Sequence, residues 1–276
     1  LGNARSLISG GVEVVPGPPR PGRGSGVPGD FTGDGVPDVL GITTHGDLRL
    51  YAGRRGPSIN LNAQIGQNWG SVNWIGKVPD LNGDGHPELL ARDINGALWL
   101  YRGVGKGRVS PGIQVGRGWH QMLDLTVIRD MSGDGKPDRV ARQNDGRLYR
   151  YAIRGVNQTV TGKQEIGLRW HEMHTLVALS DADGDGRANV VALRRDGTLW
   201  LYRPNAQRRL SKIGQVGHGW NGFTHMLSPG DLDGDGVDDL LGVRNDGHLY
   251  FYKNLNNTRW SYKRVRSAGV GEGFRS

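Results

Sequence analysis

Short apolar runs alternate with glycine-centred turns along the whole chain, and no stretch keeps a helical period. From Val72 to Val78 an apolar run leads into an acidic loop that opens at Asp80. Leu89 to Arg92 reads as a short strand, Asn95-Gly96 as a turn, and Ala97 to Gly103 (ALWLYRG) as the next strand. A polar loop then leads to Ile113–Trp119 (IQVGRGW). Asn-Gly or Asp-Gly between apolar runs is a strong hairpin signal, because both central residues must accept positive φ. That turn recurs at Asp145-Gly146, Asp196-Gly197 and Asp246-Gly247, with His45-Gly46 as an irregular first copy. The strand after it reads LRLY, LWLY, LYRY, LWLY and LYFY, ending on Tyr51, Tyr101, Tyr151, Tyr202 and Tyr252. A second aromatic closes IGQNW, VGRGW, IGLRW, VGHGW and VGEGF at Trp69, Trp119, Trp170, Trp220 and Phe274.

The acidic loops set the period. DFTGDGVPD, DLNGDGHPE, DMSGDGKPD, DADGDGRAN and DLDGDGVDD begin at Asp30, Asp80, Asp130, Asp181 and Asp231, 50 or 51 residues apart. Self-similarity at that spacing marks propeller blades or solenoid units. Four short strands per repeat without helices predict an all-β fold, a five-bladed β-propeller with a calcium loop in each repeat. Residues 30–276 form the propeller and residues 1–29 an N-terminal segment. Only two residues follow Phe274, so the ring is expected to borrow a strand from residues 1–29, with Leu7 to Val15 (LISGGVEVV) the best β segment, to complete the blade left open at the C-terminus.

Within each loop, oxygen-bearing residues at alternate positions suit a hard cation such as calcium, and glycines at positions 4 and 6 allow the chain to wrap a small ion. The predicted ligands are Asp30, Thr32, Asp34 and Asp38; Asp80, Asn82, Asp84 and Glu88; Asp130, Ser132, Asp134 and Asp138; Asp181, Asp183, Asp185 and Asn189; and Asp231, Asp233, Asp235 and Asp239. Position 7 contributes a backbone carbonyl in this scheme, from Val36, His86, Lys136, Arg187 and Val237. Up to five structural Ca2+ are expected. An EF-hand opens alike but needs a Glu at position 12, where this chain has Gly41, Ala91, Ala141, Ala192 and Gly242. By charge count the fifth and fourth loops should bind most strongly, the fourth losing a carboxylate at Asn189.

Composition adjusts this picture in three ways. The 276 residues include 47 glycines and no cysteine, so turns are abundant and no disulfide staples them. No apolar run reaches the ~18 residues of a transmembrane helix, and no signal peptide is visible, as in a mature or trimmed product. Seventeen of the 27 acidic residues lie in the loops, leaving ten to face 35 Lys and Arg. Once the loops are neutralised the remaining surface is basic, which favours anionic partners or merely solubility.

The acidic loop and the residues after it resemble the FG-GAP or VCBS-type calcium-binding propeller repeat. The IGxGW segment, the apolar strand, the glycine turn and LWLY resemble the blade of tachylectin-2-like lectins, five-bladed propellers that bind N-acetylated sugars. The resemblance covers about residues 30–276 and extends to repeats appended to secreted actinobacterial hydrolases and toxin-associated lectins. In this chain a metal loop replaces the compact turn of the tachylectin blade, so that family's sugar contacts have no secure counterpart here.

A secreted, non-catalytic, lectin-like carbohydrate-binding module follows as the leading expectation. Its partner would be a cell-surface or polymeric glycan, with charge favouring an anionic one. Candidate ligand residues are Trp69, Trp119, Trp170 and Trp220 with their neighbours His120, His171 and Asn221, and then Trp99, Trp200 and Tyr250. Repeated aromatics also serve as inter-blade core. The second expectation is a protein-interaction scaffold or targeting subunit of a larger secreted assembly or enzyme, docking a partner protein or a preceding domain. Catalysis ranks third: no G-x-S-x-G or H-E-x-x-H motif occurs, and Asp124, Glu165 and Glu172 are the non-repeated acids a glycosidase would need. The Lys and Arg residues are dispersed and accompany no nucleic-acid motif.

Overall fold

The computed structural model describes residues 25–55, 58–155, 160–183, 185–245, 249–254 and 262–265. They form five antiparallel sheets arranged as the blades of a propeller. The first blade holds β1 (Val39–Ile42), β2 (Leu48–Arg54) and β3 (Ser58–Gly66). The second holds β4 (Val72–Val78), β5 (Glu88–Asp93), β6 (Leu98–Tyr101) and β7 (Ile113–Gly116). The third holds β8 (Met122–Ile128), β9 (Asp138–Gln143), β10 (Leu148–Ala152) and β11 (Thr161–Gly167). The fourth holds β12 (Met173–Leu179), β13 (Asn189–Arg194), β14 (Leu199–Pro204) and β15 (Leu210–Gly217). The fifth holds β16 (Phe223–Gly230), β17 (Asp239–Arg244), β18 (Leu249–Asn254) and β19 (Tyr262–Val265). The apolar run before each acidic loop is thus the first strand of its blade, and β4, β8, β12 and β16 line the axis.

The second strand of each complete blade shows why these sequences lack simple alternation. In β5, β9, β13 and β17 the first five residues are all buried, because each sheet is covered on both faces by its neighbours. Five apolar clusters fill the five junctions between blades. The last of them packs Val39 and Tyr51 of the first blade on Leu232, Leu241 and Phe251 of the fifth, and so closes the ring.

A repeat counted from its acidic loop is one strand out of step with its sheet. Four strands of the fifth sheet are described, whereas the first sheet has three, with β1 at its edge. Among the described residues the sheet short of a strand is the first. Leu7 to Val15 and Phe274 lie outside the described residues. On that side of β1, Lys77 reaches across the junction from β4. Its Nζ donates to the Pro229 carbonyl at 2.5 Å and approaches the Asp38 carbonyl at 3.5 Å, tying three blades together.

Burial pulls the Lys77 ammonium down to about 8, against the opposing charges of Asp238 and Asp38. The fold therefore holds its proton less tightly than the unfolded chain does, so wild-type stability should rise as pH climbs from about 8 toward the unfolded value of about 10.4. Lys77→Met should abolish that increment and lower stability at every pH. Denaturant unfolding of both proteins at pH 7.5 and pH 10 measures it, and equal pH slopes would refute it.

Candidate functional site

The acidic loops are held by their own carboxylates. Position 1 folds back on the glycine turns: Asp30 accepts the N–H groups of Gly33, Asp34 and Gly35 at 2.6, 3.2 and 2.7 Å. Asp130 and Asp231 repeat this pattern. Asp80 accepts from Asn82, Gly83 and Gly85, and Asp181 from Asp185 and Gly186. Position 5 caps position 7, with Asp34, Asp84, Asp134, Asp185 and Asp235 accepting from Val36, His86, Lys136, Arg187 and Val237. Such Asx turns need no ion to form.

Position 9 has a second task that spacing alone does not reveal. Asp38, Glu88, Asp138, Asn189 and Asp239 are all fully buried and accept the backbone N–H of position 2. The position 2 side chains, Phe31, Leu81, Met131, Ala182 and Leu232, enter the inter-blade clusters. Their role was readable in principle, since position 2 is apolar in every copy. The loop is thereby bolted to the core at its second residue and its ninth.

Three loops gather carboxylates closely enough to hold a cation: Asp80, Asp84 and Glu88; Asp181, Asp183 and Asp185; and Asp231, Asp233 and Asp239. In the first and third loops no such trio forms among the described residues; Thr32 and Ser132 stand at position 3 and donate to Asp30 and Asp130. Asp138 pairs with Arg150 at 2.8 Å. Donor chemistry fits a hard cation best in the second loop, where the buried Glu88 Oε1 has no partner. Burial, with the charges of Asp80 and Asp84 added, pushes Glu88 up to about 8. Burial likewise pushes Asp38 to about 6 and Asp239 to about 7. A cation would relieve that desolvation.

The predicted aromatic residues take another role. Trp69, Trp119, Trp170 and Trp220 are 6–7% exposed. Each lies against the tyrosine of the following blade, with centroids 4.4–4.7 Å apart: Trp69 on Tyr101, Trp119 on Tyr151, Trp170 on Tyr202 and Trp220 on Tyr252. The glycine of the IGxGW segment is required by this packing, since a Cβ on Gly116 would sit 2.7 Å from Trp119 Nε1. The backbone N–H of each Trp donates to the glycine carbonyl of the hairpin turn, at 2.7–2.9 Å for Gly46, Gly96, Gly146 and Gly197. The ring faces are therefore packing surfaces rather than open sugar platforms. The neighbours His120, His171 and Asn221 are exposed and sit over the same hairpin glycines. Among the second choices, Trp99 donates to Asp93, and Trp200 donates to Thr198 and carries Lys212 over its ring at 4.4 Å.

Two cavities accompany these elements. The axial one, about 900 Å³, is lined by the first strands of the blades and includes Asp124, His174 and His225. Burial raises Asp124 to about 7 against the charges of Arg142 and Arg92. Glu165 and Glu172 do not line it; they lie near Arg147 and Arg194 respectively. The paired carboxylates of a glycosidase are thus not assembled by these three acids. The second cavity, about 390 Å³, lies between the third and fourth blades beside Trp170 and Tyr202.

The profile of the FG-GAP-like repeat matches residues 80–141 and 181–242. The chain is a five-bladed propeller, and those two stretches of it are FG-GAP-like repeats. Among solved structures it is similar to the BP39L lectin from Burkholderia pseudomallei, with 16% sequence identity and a TM-score of 0.50 over 84% of this chain and 66% of that one. It also matches BBS1N in complex with ARL6DN, at 12% identity and a TM-score of 0.42 over 92% of this chain and 88% of that one. No curated protein matches the chain. At these identities the structural likeness speaks to the fold.

If the tryptophans are inter-blade wedges, Trp119→Ala should cost about 3–5 kcal/mol of stability, because it also strips the ring beneath the buried Arg139 guanidinium, 5.0 Å from its centroid. Chemical denaturation of the variant checks this, and a loss below about 1 kcal/mol would return Trp119 to the surface-ligand class.

Proposed function

We propose that this protein is a secreted, non-catalytic, lectin-like module that binds an anionic glycan, with structural calcium in its acidic loops. The observation that carries the glycan reading is the groove between the third and fourth blades. Its volume suits a pyranose or two, and Arg169, Arg209 and Lys212 line it together with Trp170 and Tyr202, with no carboxylate among its described lining residues. Arg169 adopts φ 64°, where three of the four other copies have glycine in sequence. A bulky residue held in the left-handed region is a strain that functional sites often retain. Arginine forks suit carboxylate and phosphate oxygens. The lectin fold of the Burkholderia neighbour supports the reading by analogy. Similar blades would add avidity on a polymeric ligand.

A scaffold is the second reading. Ile94 and Leu123, 62% and 53% exposed, both line the axial cavity and offer apolar contacts to a partner protein.

A glycan array run with and without calcium should show binding to uronate- or phosphate-bearing glycans over neutral ones. Arg209→Ala and Lys212→Ala should each weaken that binding about tenfold, the scale of a charge-assisted hydrogen bond, with unchanged melting curves. A silent array beside a stable protein partner would favour the scaffold instead. Independently, chelator should lower the melting temperature and calcium restore it, since the unfolded chain has no assembled site; a melt indifferent to both would remove calcium from the reading.

A further inference from the structure

By acid count the fifth loop outranks the others, with aspartates at positions 1, 3, 5, 8 and 9. Its geometry reverses that rank. Asp233 Oδ1 accepts from Asp235 N at 3.3 Å, and Asp235 Oδ1 accepts from Val237 N at 3.0 Å. The oxygens left over are the two Oδ2 atoms, and both meet the Lys253 ammonium, at 2.6 and 3.0 Å. Lys253 follows the blade tyrosine Tyr252 on β18. In the fourth loop Arg203 holds the same register after Tyr202, with its Nη1 at 3.6 Å from Asp183 Oδ2 and 3.5 Å from Asp185 Oδ2. The two loops that gained an aspartate at position 3 therefore face a basic side chain from their own blade. In the first and third loops that register holds Ala52 and Ala152.

The second loop is built differently. Glu88 Oε2 accepts Leu81 N at 2.7 Å, and its Oε1 is buried without a partner. The corresponding oxygen is partnered elsewhere: Asp38 Oδ1 accepts Gly53 N, Asp138 Oδ1 accepts Arg150, and Asp239 Oδ1 accepts Asn254 N. Arg102 occupies the Lys253 register here, and at Glu88 its charge is outweighed by burial and by the repulsion of Asp80 and Asp84. An orphaned, buried carboxylate oxygen beside two further carboxylates is a costly arrangement for an empty loop and a favourable one around a cation.

We propose that the second loop is the high-affinity divalent-cation site of this protein, with Asp80, Asp84 and Glu88 supplying its carboxylate oxygens, and that Lys253 serves as a built-in cation which neutralises the fifth loop in place of a metal. The inference rests on the calcium reading above and adds which loops take the ion. A tethered ammonium is always present at its site, so an entering ion must displace it. The cation order then depends on basic residues some twenty positions downstream as well as on the acids in the loop.

Calcium titration of the whole, chelator-stripped chain by calorimetry tests this. Wild type should show one tight step. Glu88→Gln should weaken that step at least tenfold, and so should Asp84→Asn, a less buried change that spares the core. Asp239→Asn should leave it unchanged. Lys253→Gln should add a second step of comparable affinity, with its melting curve in chelator confirming a folded ring. A tight step that survives both second-loop variants, or that vanishes with Asp239→Asn, overturns the assignment of the site. A Lys253→Gln protein that folds and gains no step overturns the role of the lysine. Wild type that takes up no calcium would overturn the calcium reading itself, and with it this order.

Discussion

No blade of this protein can bury its own faces. A four-stranded sheet of short strands leaves two apolar surfaces, and both must be covered by neighbours, so the molecule is stable only as a ring. The wedge that enforces this is the tryptophan after each outer strand. It is anchored by a backbone hydrogen bond to the hairpin glycine and rests on the tyrosine of the next blade. A tilted aromatic pair adds about 0.5–1.5 kcal/mol beyond area. Its larger effect is geometric, because the same pair recurs at 4.4–4.7 Å between one blade and the next.

The acidic loop belongs to the same constraint. Its second residue is a plug in the inter-blade core, and its ninth holds that plug's backbone from beneath. An ion placed among the remaining oxygens would stiffen the joint between the first and second strands of a blade. A metal bound there would be coupled to ring stability through a few backbone N–H groups, without any need for the ion to touch two blades at once.

Much of this was legible in the sequence. A period of 50 or 51 residues, glycine hairpin turns and the absence of helical spacing lead to five blades because each is a local property. The strand offset was not legible, since a repeat can be cut at any phase and only pairing shows that Val72–Val78 joins the sheet after it. Nor was the role of the tryptophans: a repeated aromatic beside polar residues looks the same whether its face meets a sugar or a tyrosine. The decisive datum is the close approach at Gly66 and Gly116, where a Cβ would lie 2.5 and 2.7 Å from the indole nitrogen. The surroundings of the loops were hidden for a related reason. Counting acids within nine residues cannot see Lys253, which the register of β17 and β18 brings back over Asp233.

That last case shows how charge is distributed in the molecule. Acids concentrate in the loops, where backbone donors, Arg150, Arg203 and Lys253 meet them. The cations between the third and fourth blades have no such acids in their wall. A ring of near-identical blades would otherwise present five equivalent grooves and five equivalent loops. Single substitutions break that symmetry: arginine for glycine or asparagine before Trp170, lysine for alanine after the blade tyrosine, and glutamate for aspartate at position 9. Since the scaffold residues that hold the ring are the repeated ones, the departures from the repeat are free to differ. Specific binding by such a fold should be sought at those departures.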